Sequence, residues 1–362
     1  MDTSSQFARL RRVGQSFWLD NLSRGMLQSG ELRRLVEAGE ATGITTNPAI
    51  FRNAMASAAA YRDELAALRT AEPDPERRYE CMAIADVQAA CDVLRPVFEA
   101  SAGDDGFVSL EVSPALAHDA AGTLAAARRL HARVARDNVL IKIPGTAAGA
   151  EAFGGCIAEG IGVNVTLLFS LGQMERIFAA YQSGLERCRA AGGDLSGIKA
   201  VASFFMSRID TLVDRRLREI GSPEALALEG RVAVAMGKVA YQRYLDVFAQ
   251  DRFAALRAAG ARPQYLLWAS TSTKNPAYPD LLYVEPLMGP QTINTLPDAT
   301  LAAFRDHGTA AVTLGEGLAE ARAALSGAAR LGIDLEAAGE QLQAEGLRQF
   351  DEAYAALLAA VA

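Results

Sequence analysis

VLIKIP, residues 139–144, is a short apolar run that contains a single lysine, Lys142, and leads into a turn that begins at Gly145. A run of this length bounded by proline and glycine predicts a buried β-strand that ends at a loop. Because side chains alternate along a strand, Lys142 shares a face with Leu140 and points where a core residue is expected. The stretch therefore predicts a buried strand with a lysine near its carboxyl end.

A lysine in such a position is a candidate nucleophile. Loss of water disfavours the ammonium ion and raises the fraction of neutral amine, which attacks carbonyl carbons to form Schiff bases. The alternative interpretation is a lysine near the strand end that extends its ammonium into solvent and has no chemical role. The rest of the sequence decides between the two.

Short apolar runs alternate with helical segments along most of the chain. Good helix formers with helical periodicity occupy residues 79–98, 119–135, 171–190 and 231–256. The predicted strands are residues 17–19, 41–45, 107–112, 139–143, 162–169, 200–204, 265–269 and 281–285. Eight strand–helix repeats predict an α/β protein with the (β/α)8 TIM barrel fold. The competing architecture, an open doubly wound sheet, lacks the GxGxxG turn that would support it after the first strand.

The length of 362 residues suits one barrel with additions. After Gly315 the strand signal stops, so residues 1–362 are predicted to form a single barrel domain with residues 316–362 as a helical extension packed on it. Leu347, Phe350 and Tyr354 recur at helical spacing and give the last helix an apolar face. That face predicts either plain packing on the barrel or a lid over the mouth of the active site.

Composition limits the class of partner. With 50% hydrophobic and 22% charged residues and a net charge of −7, the chain is expected to bind neither nucleic acid nor an anionic membrane. Its apolar segments are shorter than the roughly 18 residues of a membrane span, which predicts a cytoplasmic protein. The cysteines and histidines have no disulfide or metal-ligand spacing. We therefore expect a small-molecule partner.

Polar residues fall at or near the carboxyl ends of the predicted strands, where (β/α)8 enzymes gather their chemistry. For any single residue, capping a helix or satisfying a buried backbone group is the alternative role. Their recurrence on nearly every strand predicts a shared site. The residues are Asp20, Thr45, Asn47, Glu111, Lys142, Asn164, Thr166, Ser203, Arg208 and Ser270.

This set suits the cleavage of a carbon–carbon bond through a Schiff base. The reaction needs an amine, a base for the hydroxyl beside the breaking bond and a proton shuttle for carbinolamine dehydration. Lys142, Asp20 and Glu111 with Thr166 can fill these roles. Hydroxyl and amide side chains suit a polyhydroxylated substrate, and Arg208 can form paired hydrogen bonds with a phosphate.

Four stretches together resemble the transaldolase family of class I aldolases. They are GITTNPAIF at residues 43–51, LIKIPGT at 140–146, NVTLLFS at 164–170 and SFFMSRID at 203–210. The resemblance spans roughly residues 16 to 310 in order. It implies a cytoplasmic barrel enzyme of the pentose phosphate pathway, with sugar-phosphate substrates and without a metal or organic cofactor.

By resemblance, the reaction is transfer of a dihydroxyacetone unit from sedoheptulose 7-phosphate to glyceraldehyde 3-phosphate, giving erythrose 4-phosphate and fructose 6-phosphate. A fructose 6-phosphate aldolase that releases free dihydroxyacetone is the alternative enzyme, and a sugar-phosphate binder without turnover is an alternative from another class. Monomer and homodimer both stay open. The implied site has Lys142 as the Schiff-base lysine, Asp20 as acid–base group, Glu111 and Thr166 around a water, Thr45, Asn47 and Asn164 at substrate hydroxyls, Phe205 in the lining, and Ser203, Arg208 and Ser270 at the phosphate.

The chain departs from the family pattern at one place. Better-known transaldolases carry a second phosphate-binding arginine close to the position of Ser270, and here Ser272 lies in that neighbourhood. Lys274 follows two residues later in STSTKN, residues 270–275. The hypothesis is that its ammonium replaces the arginine as a point charge.

Overall fold

A computed structural model describes residues 5–57 and 59–362 and shows a closed barrel of parallel strands. The strands pair in chain order, and β1 closes the ring against β8. This arrangement, surrounded by helices, confirms the predicted (β/α)8 TIM barrel with extra C-terminal helices. The strands are β1 Gln15–Leu19, β2 Gly43–Ile44, β3 Val108–Glu111, β4 Val139–Pro144, β5 Val163–Leu168, β6 Ala200–Phe205, β7 Tyr265–Ala269 and β8 Thr292–Leu296.

Helices cover the outside of the barrel and continue beyond it at the C-terminus. Short 3-10 helices lie at Ala59–Tyr61, Pro114–Leu116 and Glu285–Leu287. The α-helices are α1 Gln6–Val13, α2 Arg24–Gln28, α3 Glu31–Glu37, α4 Pro48–Ser57, α5 Arg62–Ala71, α6 Pro75–Ala100, α7 Ala120–Val134, α8 Ala147–Ala158, α9 Leu171–Ala190, α10 Ser207–Ile220, α11 Pro223–Leu226, α12 Val232–Ala249, α13 Asp251–Arg257, α14 Asp298–His307, α15 Leu318–Arg330 and α16 Leu335–Val361.

Local signals fix several helix boundaries. Asp74 accepts a hydrogen bond from the backbone of Glu76, and Pro75 opens α6. Ser170 and Gln173 form a reciprocal capping box at the start of α9, whose bounds match the prediction. The helix predicted over residues 231–256 is in fact two helices, α12 and α13, because Gln250 between them has an extended backbone.

The prediction of the eighth strand at residues 281–285 was wrong. That segment forms turns and leads into the 3-10 helix Glu285–Leu287, while β8 lies at Thr292–Leu296. Leu281, Tyr283 and Val284 are buried, so the apolar run marks a packed loop instead of a strand. β8 was missed because it is polar: Asn294 donates to the Tyr283 carbonyl and Thr295 to the Trp268 carbonyl. A short apolar run alone does not distinguish these cases.

The last helix crosses from the barrel wall to the carboxyl ends of the strands. α16 packs on α4, α6 and α10 and also contacts β5. Gln343 on this helix donates to the carbonyls of Gly145 and Leu167, each at 3.0 Å. The C-terminal segment therefore lies over the end of the barrel where the predicted site residues are found.

Two negative findings concern the part of the chain that the structure describes. No helix there is both long enough and apolar enough to cross a membrane. Residues 5–57 and 59–362 also contain no group of three or more histidine, cysteine or acidic side chains arranged to hold a metal ion.

Candidate active site

Lys142 lies in the interior of the barrel at the carboxyl end of β4. Its side chain is 6% exposed, and its Nζ donates a hydrogen bond to the Thr46 carbonyl at 2.8 Å. Glu111 pairs with Lys142 across the β3–β4 ladder, so both side chains point inward. The Lys142 Nζ lies 3.6 Å from Glu111 Oε2. The predicted interior position of the lysine is thus the one that the structure shows.

Glu111 is a carboxyl group whose pKa is brought close to neutral pH by burial. Burial raises its pKa to about 7, while the neighbouring Lys142 acts in the opposite direction. Among the described residues, its Oε2 has no hydrogen-bond partner, and the same holds for the buried Thr166 Oγ1. A carboxyl group with such a pKa can both donate and accept a proton near pH 7.

Asp20 follows β1 directly and lies within electrostatic reach of Lys142. Burial raises its pKa, whereas Lys142 and a hydrogen bond from Thr45 lower it. Thr45 Oγ1 donates that bond to Asp20 Oδ1 at 3.0 Å. The backbone N–H of Asp20 is held by the Leu296 carbonyl at 3.1 Å, which ties the residue to the end of β8. Two carboxyl groups with raised pKa values therefore face one amine.

A cavity of about 100 Å³ collects most of the predicted residues. Leu267, Ala269, Thr295 and Phe350 complete its wall and were not predicted as site residues. Phe350 comes from α16, whose apolar face was recognised from the sequence without its location. The predicted residues that line the cavity are Asp20, Thr45, Asn47, Lys142, Thr166, Ser203, Phe205, Arg208 and Ser270.

Three predicted residues lie outside that wall. Glu111 is beside Lys142, with its Oε2 3.6 Å from the Lys142 Nζ. Asn164 is fully buried, donates to Ser109 Oγ at 3.0 Å and accepts from Ser203 Oγ at 2.7 Å. Ser109 was not predicted, although it alternates with Glu111 on β3 and so shares its inward face. Lys274 is exposed and lines a separate surface depression.

At the start of α10, Arg208 lies close to the ring of Phe205. The guanidinium carbon is 5.5 Å from the ring centroid, and burial lowers the pKa of Arg208. Ser270 is nearby, since Ser207 and Ser270 place their hydroxyl oxygens 2.9 Å apart. Ser270 adopts a left-handed backbone with φ of 56°, unusual for a residue other than glycine. Such strain is often found at functional sites.

β5 bends beside the site. Its register against β6 shifts between Val165 and Leu168, and Leu167 has a left-handed φ of 60°. The freed Leu167 carbonyl accepts the Gln343 bond from α16. At Gly346 a side-chain carbon would lie 2.9 Å from Leu167 and 3.4 Å from the Arg208 guanidinium, so glycine lets the helix pass close to both. Gln343 and Gly346 were not predicted, because nothing local in the sequence connects α16 to β5.

The fold and the lysine site are those of a (β/α)8-barrel enzyme, in which polar residues gather at the carboxyl ends of the strands. The chain belongs to the family described as transaldolase/fructose-6-phosphate aldolase, whose model matches residues 17–361. The match continues through α16, well beyond the residues on which the sequence resemblance rests.

Curated relatives cover nearly the whole chain. A transaldolase of Thiobacillus denitrificans is 55% identical over 350 residues, covering 97% of this chain and 98% of its own. A transaldolase of Neisseria gonorrhoeae is 51% identical with 97% of both chains covered. Transaldolase 1 of Streptomyces coelicolor is 49% identical over 360 residues, or 99% of this chain and 94% of its own. These relatives confirm the predicted family and the prediction of a transaldolase-type transferase, and the alternative aldolase is not favoured.

Proposed function

We propose that this chain transfers a dihydroxyacetone unit from sedoheptulose 7-phosphate to glyceraldehyde 3-phosphate, giving erythrose 4-phosphate and fructose 6-phosphate. The observation that carries the proposal is the buried Lys142 amine, 3.6 Å from Glu111 and in a cavity it shares with Asp20. The names of the relatives support transfer to an aldehyde over release of free dihydroxyacetone.

The first half of the reaction joins Lys142 to the donor. The neutral amine attacks the ketone carbon C2 and forms a carbinolamine. Glu111 in its protonated form donates a proton to the leaving hydroxyl, which departs as water and leaves the protonated imine. The buried hydroxyl of Thr166 holds that water together with Glu111. The pKa of Glu111, about 7, allows the group to give this proton and later to take one back when water hydrolyses the imine.

Asp20 serves the carbon–carbon cleavage. Its carboxylate takes the proton of the C4 hydroxyl, the C3–C4 bond breaks and the electron pair moves onto the imine nitrogen. Erythrose 4-phosphate leaves, and the enamine on Lys142 attacks the aldehyde carbon of glyceraldehyde 3-phosphate. Asp20 returns its proton to the new hydroxyl. Thr45, which donates to Asp20 at 3.0 Å, directs the carboxylate toward the substrate. The protonated imine is the electron sink, so the steps use no cofactor.

The remaining residues of the site bind the sugar. Thr45 and Asn47 line the cavity and can reach substrate hydroxyls, while Asn164 is held beneath them by Ser109 and Ser203. Phe205 forms an apolar wall of the cavity. At the phosphate end, the half-buried guanidinium of Arg208 and the Ser270 hydroxyl supply donors, with Lys274 as a more distant positive charge. A sugar phosphate is therefore the proposed substrate; the cytoplasmic location and the monomeric or homodimeric state stay predictions.

The proposal is tested by trapping the imine. Protein incubated with fructose 6-phosphate and sodium borohydride should gain one dihydroxyacetone-sized adduct on Lys142, found by peptide mass spectrometry. Cleavage of fructose 6-phosphate should also speed up when erythrose 4-phosphate is supplied as acceptor. An adduct on another lysine would overturn the assignment of Lys142. Cleavage at an equal rate without any acceptor would instead favour the aldolase.

A further inference from the structure

Three polar residues of α10 share one stripe of the helix. Ser207, Asp210 and Asp214 are spaced i, i+3 and i+7, which places them on the same face, and all three are buried. A buried stripe of this kind is normally apolar. Two carboxyl groups there are costly unless each is fully hydrogen-bonded.

All three residues reach the segment that connects β7 to β8, residues 270–291. Ser207 donates its backbone N–H to the Ser270 carbonyl at 3.1 Å, and the two hydroxyl oxygens are 2.9 Å apart. Asp210 Oδ2 accepts from the Tyr283 hydroxyl at 2.9 Å. Asp214 Oδ2 accepts from the Tyr278 hydroxyl at 2.6 Å. Successive turns of one helix thus hold successive points of one loop.

The second oxygen of each carboxylate is used in the same way in both cases. Asp210 Oδ1 accepts from the Ala233 backbone at 2.8 Å, and Asp214 Oδ1 accepts from the Gly230 backbone at 3.0 Å. Each carboxylate therefore joins three parts of the chain: α10, residues 230–233 at and just before the start of α12, and the β7–β8 loop. Capping α12 would require only the Oδ1 contacts, so the two tyrosines show that the loop itself is being held.

The elements joined in this way are those that carry the phosphate end of the site. Arg208 lies between Ser207 and Asp210 on the first turn of α10, and Ser270 begins the loop. Lys274 lies in the loop between Ser270 and Tyr278. The position of the loop relative to α10 therefore sets the distance from the guanidinium to the Ser270 hydroxyl and the Lys274 ammonium.

We propose that Asp210 and Asp214, through Tyr283 and Tyr278, are positioning residues that hold the β7–β8 loop against α10 for recognition of the substrate phosphate. The inference rests on the proposed function and deepens it by naming how the phosphate subsite is assembled. It places the effect in phosphate affinity and not in the chemistry at Lys142.

The test removes the tyrosine hydroxyls and leaves every charge near Lys274 in place. Tyr278→Phe and Tyr283→Phe should each raise the KM for fructose 6-phosphate about fivefold, and the double variant more, with kcat nearly unchanged. Unphosphorylated fructose is the comparison donor. The ratio of kcat/KM for fructose 6-phosphate to that for fructose should fall by the same factor.

Tyr265→Phe is the matched control. Tyr265 begins β7, the strand that leads into this loop, and its hydroxyl donates to Asp104 Oδ2 at 3.1 Å at the opposite end of the barrel. The control loses the same kind of bond to a carboxylate, and its ratio for the two donors should stay at the wild-type value. Circular dichroism establishes that each variant is folded. If one of the two tyrosine variants does not fold, the other carries the test.

Failure of the positioning role and failure of the proposed function would give different results. An unchanged donor ratio in the folded tyrosine variants would overturn the positioning role, and so would an equal loss with both donors. Binding of inorganic phosphate, measured by calorimetry, reports on the subsite without any Schiff-base chemistry. Weaker phosphate binding in the variants than in the control supports the inference even if wild-type protein traps no imine.

Discussion

Two buried lysines lie at opposite ends of the barrel, and their surroundings differ. Lys199, directly before β6, is 1% exposed, lies 2.7 Å from Asp104 and places its ammonium 3.5 Å from the centre of the Tyr265 ring. Lys142, near the end of β4, is 6% exposed, but its nearest carboxylate oxygen is 3.6 Å away. Lys199 is held as a cation by close partners. Lys142 lies farther from its charged partner and faces a cavity.

Burial alone therefore does not identify a nucleophile. Both lysines occur in apolar surroundings in the sequence, and burial lowers the pKa of Lys199 while Asp104 opposes this effect. What separates them is the end of the strand on which each lies and the neighbouring acids. Lys142 shares its end of the barrel with Glu111 and Asp20, whose pKa values are raised by burial. Such groups can exchange protons with a substrate.

The largest effect should come from exchanging Lys142 for methionine, which keeps much of the side-chain volume. The same exchange at Lys199 is the control. Lys142→Met should lose the borohydride adduct and at least about 10⁴-fold in kcat, because the nucleophile is gone. Lys199→Met should keep both the adduct and kcat. The chain has four lysines, so peptide mass spectrometry assigns the adduct without ambiguity. An adduct lost in Lys199→Met but retained in Lys142→Met would reverse the comparison.

Glu111→Gln should lower kcat about 100-fold, since it removes a proton donor and acceptor but keeps the shape of the side chain. The wild-type group has a pKa of about 7, raised by burial, so its protonated fraction is high at pH 5.5 and low at pH 8.5. The ratio of wild-type to variant imine formation should therefore fall as pH rises through 7. Stopped-flow trapping at a series of pH values measures it. A ratio independent of pH would remove Glu111 from the dehydration step.

Lys199→Met should lower the free energy of unfolding by about 2 kcal/mol. Breaking a fully buried ion pair costs about 3–5 kcal/mol, but Asp104 is 41% exposed and can regain water. Urea denaturation at pH 7 measures the loss, with Lys238→Met as the control. Lys238 is a half-buried lysine that donates to the Thr313 and Glu316 carbonyls, and among the described residues it forms no ion pair. An equal loss in both variants would mean that the Asp104 pair adds little.

Local sequence signals predicted the barrel and the centre of the site. The apolar run around Lys142 and the polar residues at strand ends required only periodicity and position. The signals failed where stability comes from distant contacts. β8 was not predicted because its polar residues Asn294 and Thr295 make their hydrogen bonds inside the protein. Gln343 donates to the carbonyls of Gly145 and Leu167, which are far away in the chain. No spacing rule predicts such partners.

The same limit makes the two buried lysines, Lys142 and Lys199, hard to distinguish from the sequence. Lys199 precedes its strand by one residue, and its partner Asp104 lies in a loop 95 positions earlier. From the sequence it resembles Lys142 in having apolar neighbours. Only the strand boundary, which sequence reasoning places less reliably than the strand itself, assigns the two residues to opposite ends of the barrel.

The smallest effect concerns the exposed lysine, Lys274. Exposed charges contribute about 0.2–1 kcal/mol to an interaction, so Lys274→Ala should raise the KM for fructose 6-phosphate up to about fivefold and leave kcat nearly unchanged. Because salt screens exposed charges, the effect should shrink as ionic strength rises. Steady-state kinetics at two salt concentrations measures both, with Lys238→Ala as control. An unaltered KM at low salt would leave Arg208 and Ser270 as the phosphate donors, and would show that Lys274 does not replace the second phosphate-binding arginine of the family pattern.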